Sequence, residues 1–251
     1  MPRPRWHNRG VVFSGVFGPA ELWPAQDLIA VSDEFDAPLV LAAYLSGVFP
    51  MPLHDAGFAP QMSWWSPVQR GVLTPDGLRV PRSLRQSAKH YRVTFNEAFG
   101  EVLRRCADPR RPHGWIDADI VEVYTELHRQ GYAHSAEAWT PDGRLAGGLY
   151  GMGLGGLFAG ESMFHDPVIG RDASKVALVA LAELLASDDE ERLIDVQWQT
   201  PHLASLGVVA IDRDEYLAAL EEALRLPPPP WPGPVGKTWP SSHNGWFPTS
   251  P

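Results

Sequence analysis

The sequence predicts an α+β protein in two unequal parts, and three observations carry that expectation. Apolar residues recur at helical spacing in the first half, as over residues 117–130, and past Gly131 the pattern changes to alternating strands joined by Gly- and Pro-containing turns. Helix, strand, strand and helix then follow, the order of a domain packed on one sheet. A chain of 251 residues with 44% hydrophobic and 20% charged side chains is long enough for one large domain or two small ones sharing a core.

The basic, Pro-containing start, MPRPRWHNRG, reads as extended chain. The stretch VVFSGVF behind it imitates a secretory leader, but Gly15, Gly18 and Pro19 break the apolar run, so it reads as mature protein. A helix is expected from Pro38 to Ser46, with Pro38 suiting the first turn and Gly47 the stop. A second should begin at Thr94, whose hydroxyl and Glu97 make a capping-box pattern. A third runs from Asp117 to Gln130, with Ile116, Ile120, Val123, Tyr124 and Leu127 on one stripe and Gly131 ending it. Strands at 133–139 and 144–151 flank Pro141-Asp142-Gly143 and form a hairpin, and a third strand covers 157–162. An apolar helix from Ala173 to Leu185, strands at 193–199 and 207–211, and a closing helix capped by Asp212 with Glu215 complete the domain. The expected division is a smaller N-terminal domain at 1–92, a larger α+β domain at 93–226 and a tail at 227–251 with nine prolines.

A single cysteine, Cys106, leaves no intramolecular disulfide and suits a reducing cytoplasm. No apolar run approaches the ~18 residues of a membrane span. The net charge of −9 is unevenly spread: residues 1–111 carry net +3 and residues 112–251 carry net −12. Nine basic residues fall between 79 and 111: Arg79, Arg82, Arg85, Lys89, Arg92, Arg104, Arg105, Arg110 and Arg111. Such asymmetry fits one anionic and one cationic partner, and it equally fits a solvated basic surface.

Two motif matches fail on context. GMGLGG at 151–156 satisfies G-x-G-x-x-G but leads into a strand, whereas a dinucleotide site needs it to open a helix. GESMF lacks the second glycine of a nucleophile elbow. The histidines show no metal-ligand spacing, so no metal is assigned. In the strand 193–199, alternation puts Asp195, Gln197 and Gln199 on one face. That row is either a working surface or an ordinary solvated one. Glu161, bracketed by Phe158 and Met163, needs a partner or a task. Trp64, Trp65 and Trp115 are core residues or stacking platforms for an unpaired base.

The order of elements after Gly131 is similar to the acetyltransferase-like fold. The strings go further: AAYLSGVFP, WWSP with Arg70, TFNEAFGEVLRRCA, GWI, VYTELHRQGYAHSAEAW, LAGGLYG, FAGESMF, ASKVAL, DVQ and HLASLG occur in the order found in leucyl/phenylalanyl-tRNA–protein transferases, over residues 28 to about 220. The resemblance implies a cytoplasmic, cofactor-free enzyme with an acetyltransferase-like C-terminal domain. It takes Leu or Phe, and in some cases Met, from aminoacyl-tRNA and joins it to a protein with N-terminal Arg or Lys, marking it for N-degron proteolysis. A monomer is expected.

By the same resemblance Asp195 and Gln197 form a relay to the attacking amine, and Glu161 holds the cationic acceptor N-terminus. Phe158 and Met163 line the pocket for the Leu or Phe side chain, Trp115 stacks on the 3′-terminal adenosine, and Trp64, Trp65 and Arg70 belong to the substrate site. Arg79, Arg82, Arg85, Lys89 and Arg92 follow the acceptor-stem backbone without reading sequence. The chain departs from the family pattern at Met51, where tryptophan is usual, around Val31-Ser32-Asp33, where a glycine pair is usual, and in a longer loop from His165 to Asp172. These changes surround the expected aminoacyl end, where Arg171 is the displaced cation's candidate replacement. A CoA-dependent N-acetyltransferase would share the fold, but GRDASK lacks the pyrophosphate-cradling segment it needs. The lost tryptophan also fits a non-catalytic tRNA- or degron-binding relative.

Overall fold

The protein is described by a computed structural model for residues 16–53, 61–111, 114–188 and 190–232. The basic start, the first part of the leader-like run and the tail from residue 233 onward lie outside the described residues. Helix α1 (Ala37–Leu45) is opened by Asp36, whose carboxylate accepts the Leu39 amide at 2.8 Å. It joins β1 (Leu28–Ser32) to β2 (Phe49–Leu53), and with β3 (Gln61–Trp65) these strands form an antiparallel sheet in the order β1-β3-β2.

The second sheet has seven strands: β4 (Gln69–Leu73), β5 (Arg92–Phe95), β6 (Ala133–Trp139), β7 (Leu145–Leu154), β8 (Leu157–His165), β9 (Leu193–Asp195) and β10 (Val209–Asp212). Their spatial order is β10-β4-β9-β8-β7-β6-β5, and β8–β9 is the parallel pair. Helix α5 (Ala173–Leu185) makes the crossover that this pair requires. Alternate side chains of the strands feed two cores. Tyr150, Met152, Leu157 and Leu193 share one with residues of α1, α3 (Phe99–Cys106), α4 (Ala118–Arg129) and α7 (Arg213–Arg225). Leu149, Phe158 and Ile194 share the other with α5 and with Leu84 of α2 (Arg82–Ala88). Among the described residues no helix is long and apolar enough to cross a membrane.

The sheet hairpin, α4 and α5 fall where the residues predict them; Asp117 caps α4 by accepting the Ile120 amide at 3.0 Å. Four expectations are corrected. Thr94 starts no helix: it lies in β5, and its hydroxyl donates to the buried Glu137 at 2.6 Å. The helix begins only at Phe99, after Asn96 has turned the chain with a φ of 60°. The strand expected at 193–199 ends at Asp195, and a short helix, α6 (Pro201–Ser205), follows it. The strand expected at 207–211 is β10, which begins at Val209. Asp212 precedes α7 without capping it, because its carboxylate instead accepts from Gln69 Nε2 on the neighbouring strand.

Candidate active site

Strands β8 and β9 pair over three residues only, Leu157 with Leu193, Phe158 with Ile194 and Ala159 with Asp195. Beyond that point they part: β8 runs on to His165 while the chain leaving β9 turns away. Open sheets commonly receive ligands outside the carboxyl ends of parallel strands. Glu161 and Gln197 stand on the two sides of this divergence.

The position of Glu161 comes from an irregularity in β8. Tyr150 is opposite Ser162 and Gly151 is opposite Gly160, so Glu161 is an extra residue without a partner across the ladder. A bulge of this kind re-aims a side chain. Gly151 permits it, since a Cβ there would lie 2.2 Å from the Ala159 carbonyl oxygen. Glu161 consequently meets tyrosines from two helices on the face away from α5. Tyr44 of α1 donates to its Oε1 at 2.5 Å, Tyr124 of α4 donates to its Oε2 at 3.1 Å, and the two hydroxyls are 2.7 Å apart. Burial pushes the Glu161 carboxyl up to about 7 against the pull of both hydroxyls. Burial and the Glu161 charge hold both tyrosines well above the ordinary phenol range, so they keep their protons.

Asp195 is fully buried and saturated with donors. Arg70 of β4 grips it with Nε at 2.8 Å and Nη2 at 2.6 Å, Tyr216 of α7 donates at 2.9 Å, and the Gln197 backbone amide donates at 2.9 Å. The Arg70 guanidinium lies over the rings of Phe49 and Tyr216, 4.8 and 4.3 Å from their centroids. Burial opposes its charge, yet the Asp195 carboxylate raises its pKa above the ordinary value.

Gln197 has a φ of 61°, a left-handed conformation that costs a non-glycine residue roughly 1–3 kcal/mol. Its surroundings hold it there: the amide bond to Asp195, a bond from the Gly71 amide to its carbonyl at 3.0 Å, and the neighbouring Trp198. Trp198 donates to Asp27 at 3.0 Å and meets Phe49 and Trp65 edge-on, 5.0 and 5.8 Å between centroids. The Gln197 carboxamide thereby reaches Glu161 Oε1 with its Nε2 at 3.5 Å. Gly71 underlies this turn. A Cβ there would come 2.7 Å from the Gln199 amide nitrogen and 2.8 Å from the Trp198 carbonyl carbon, backbone atoms that cannot swing aside. Gly71→Ala is therefore expected to lower stability by about 1–3 kcal/mol and to reduce kcat more than it raises KM, as read by thermal melting and steady-state turnover.

The structure brings together Glu161, Gln197 and, behind them, Asp195. It separates the others. Gln199 leaves the expected row, its side chain donating to the Val208 carbonyl at 2.8 Å, because the turn at Gln197 breaks the alternation. Phe158 and Met163 pack toward the α5 core, on the face opposite Glu161. Arg70 and Trp64, expected at the substrate site, have 0% and 1% of their surface exposed. Trp64 donates to Ser32 at 2.9 Å inside the small sheet, whereas Trp65 is half-buried beside Trp198. Trp115 is half-buried just ahead of α4, and Arg111 ties this stretch to β8 by donating to the Met163 carbonyl at 2.6 Å. Sequence reasoning missed Tyr44, Tyr124, Tyr216 and Arg111 as parts of this assembly.

Arg79, Arg82 and Lys89, before, in and just after α2, are exposed and have no acidic partner among the described residues. Arg85 is half-buried, and Arg92 pairs with Glu97 at 3.7 Å. The longer loop after β8 docks on α2: the Tyr91 hydroxyl donates to the Ile169 and Arg171 carbonyls, and Ser87 donates to Asp172 at 2.9 Å. Arg171 thus borders a groove of about 380 Å³ with Ser83, Gln86, Ser87, His90 and Tyr91.

Comparison of the sequence with known proteins points to one family. A sequence model described as leucyl/phenylalanyl-tRNA protein transferase matches residues 72–221, and one described as the N-terminal domain of that transferase matches residues 33–68. A protein of Anaeromyxobacter sp. (strain K) named leucyl/phenylalanyl-tRNA–protein transferase is 47% identical over 205 residues, 80% of this chain and 84% of its own. One of the same name from Azoarcus sp. (strain BH72) is 44% identical over 225 residues, 86% of this chain and 92% of its own. The solved structure of L-PGS from Bacillus licheniformis aligns at 10% identity and a TM-score of 0.36, covering 70% of this chain and 57% of that one.

Proposed function

The chain belongs to the leucyl/phenylalanyl-tRNA–protein transferase family, and on that premise we propose that it moves leucine or phenylalanine from aminoacyl-tRNA to the α-amino group of proteins beginning with Arg or Lys. The observation that carries the chemistry is the meeting of Glu161 and Gln197 where the parallel strands part. The donor ester is already activated, so the protein's task is to orient the amine, take its proton and stabilise the developing oxyanion. An α-amino group titrates at ~7.7 to 8.0, so a modest base suffices near neutrality.

In this reading Glu161 receives the cationic acceptor end, and the Gln197 carboxamide oxygen accepts from the attacking nitrogen. Asp195 is a positioning residue: with four donors on it, it fixes the Gln197 backbone. The side chain of the transferred residue is assigned to the α5 side, beside Phe158 and Met163. Trp115 takes the terminal adenosine, where stacking contributes ~1 to 3 kcal/mol. Arg79, Arg82, Arg85, Lys89 and Arg92, joined by Arg171, follow the acceptor stem. The order β6-β7-β8, crossover helix α5 and parallel β9 supports an acetyltransferase-like fold for the larger domain. A monomer acting in the cytoplasm completes the reading.

The test is incubation with Leu-tRNA or Phe-tRNA and a peptide beginning with Arg or Lys, with mass spectrometry for a one-residue extension. An unmodified peptide would overturn it, and acetylation from acetyl-CoA would replace it. Gln197→Ala is expected to lower kcat about tenfold or more, the value of a lost hydrogen bond in the transition state, with tRNA affinity nearly unchanged. Unchanged turnover would remove Gln197 from the mechanism.

A further inference from the structure

Two tyrosine hydroxyls and one carboxyl group close a ring of three contacts: Tyr44 to Tyr124 at 2.7 Å, Tyr44 to Glu161 Oε1 at 2.5 Å and Tyr124 to Glu161 Oε2 at 3.1 Å. With the carboxyl ionised, the ring holds one proton on each hydroxyl and so has two protons for three contacts. If both hydroxyls donate to Glu161, the Tyr44–Tyr124 contact has no hydrogen. If one hydroxyl donates to the other, a carboxylate oxygen loses its donor. One added proton removes the conflict, since Oε2–H then donates to Tyr124, Tyr124 to Tyr44, and Tyr44 to Oε1 in one cooperative cycle.

We infer that this ring is the proton acceptor of the transfer, Tyr44 and Tyr124 making Glu161 a base as well as an anchor for the incoming cation. The inference rests on the transferase reading above. As the acceptor ammonium approaches, one N–H bond breaks and the proton passes to the Glu161 carboxylate, forming the O–H that closes the ring. The freed nitrogen pair forms the bond to the ester carbonyl carbon. The bond from that carbon to the 3′-terminal ribose oxygen then breaks, and the departing oxygen takes a second proton from the same nitrogen. Glu161 returns its proton to solvent before the next turnover.

The groups that face Glu161 allow this assignment. Tyr44 from α1, Tyr124 from α4 and Tyr150 from β7 are all raised above the ordinary phenol value, first by burial, and stay protonated. Arg70 from β4 and Asp195 from β9 answer each other in a bidentate pair, and Gln197 is neutral. Glu161, up to about 7, is close to the amine it would deprotonate, which favours proton transfer.

Tyr150 supplies an internal control. It is fully buried, its ring meets Tyr124 edge-on at 5.5 Å, and its hydroxyl has no partner among the described residues. Tyr44→Phe, Tyr124→Phe and Tyr150→Phe are compared by kcat/KM against pH, with Leu-tRNA as donor and a peptide beginning with Arg as acceptor. Tyr44→Phe and Tyr124→Phe are expected to lose about tenfold or more in kcat, and Tyr150→Phe is expected to keep the wild-type rate. The position of the acid limb decides the mechanism. Each hydroxyl donates to the carboxylate and pulls its titration down, so with one of them gone the limb moves to higher pH. An acid limb that stays in place in both ring variants would mean that Glu161 is not the group whose protonation limits the rate and would overturn the proposal, as would equal losses in all three variants.

The infrared spectrum of the protein alone separates this outcome from failure of the transferase reading, because it needs no turnover. Wild type is expected to show a protonated-carboxyl stretch below pH 7 that gives way to carboxylate above it and is missing in Glu161→Gln. Its absence in wild type would overturn the ring whatever the assay with tRNA gives.

Discussion

Arg70→Ala is expected to lower the unfolding free energy by about 3–5 kcal/mol, because it leaves Asp195 as an unpaired charge in the interior. Both side chains of the pair are at 1% exposure or less, so water cannot replace the lost guanidinium. The loss also removes the bond from Arg70 to the Gly47 carbonyl at 3.2 Å, and with it a tie between the end of α1 and β4. Arg70→Lys keeps the charge but cannot make the two parallel bonds, so it should recover only part of the deficit. Arg70→Met combined with Asp195→Asn should be less damaging than Arg70→Ala, since no uncompensated charge remains. Urea denaturation reads all three at constant m-value. A loss below about 1 kcal/mol for Arg70→Ala would place the pair with the weak surface bridges and deny it this role. In either arginine single variant turnover should fall further than stability predicts, because the Gln197 turn depends on the Asp195 carboxylate.

What the sequence made legible were the elements with local signals. Helix α4 has its cap, its apolar stripe and its glycine stop between Asp117 and Gly131, α5 is mostly apolar, and the β6–β7 hairpin has a Pro-Asp-Gly turn. The misreadings come from partners distant in the chain. Thr94 looks like a cap until Glu137, on the neighbouring strand, takes its hydroxyl. The alternation through 193–199 looks like a strand until Gln197 adopts a left-handed conformation that only its tertiary bonds sustain. The site divides the same way. Glu161 and Gln197 were legible as polar residues in apolar strings, but the bulge that turns Glu161 is a matter of ladder register, which one strand's sequence does not contain. Tyr124 sits in the apolar stripe of α4 and reads there as core. The available signal was its hydroxyl, because a buried tyrosine usually finds a polar partner, but nothing local names Tyr44 and Glu161 as that partner. Arg70, which the family resemblance assigned to the substrate site, is the most enclosed cation of the site.

Glu161→Gln joins the two sides of the argument, since it should give an enzyme that is nearly dead and more robust. Removing a group that accepts the proton in the transition state is expected to lower kcat by about 10²- to 10⁴-fold, with tRNA binding intact. The amide has the carboxyl's shape and carries hydrogen permanently: its Nε2–H can donate to Tyr124, Tyr124 to Tyr44, and Tyr44 to Oε1. All three contacts of the ring are then filled at every pH. Wild type differs in its pH dependence. The carboxyl titrates at about 7 in the folded protein against 4.5 for the ordinary group, so the folded state holds the proton more tightly across that window. Wild-type stability therefore declines as pH rises from the lower value through the upper one, and above it the full cost of a desolvated carboxylate remains. The variant has no such decline. Its urea midpoint should gain on wild type steadily between pH 5 and pH 8, a trade of stability for activity of the kind functional groups impose. A variant that loses ground as pH rises would mean that folding favours the Glu161 anion, which would remove both the base and the ring that serves it.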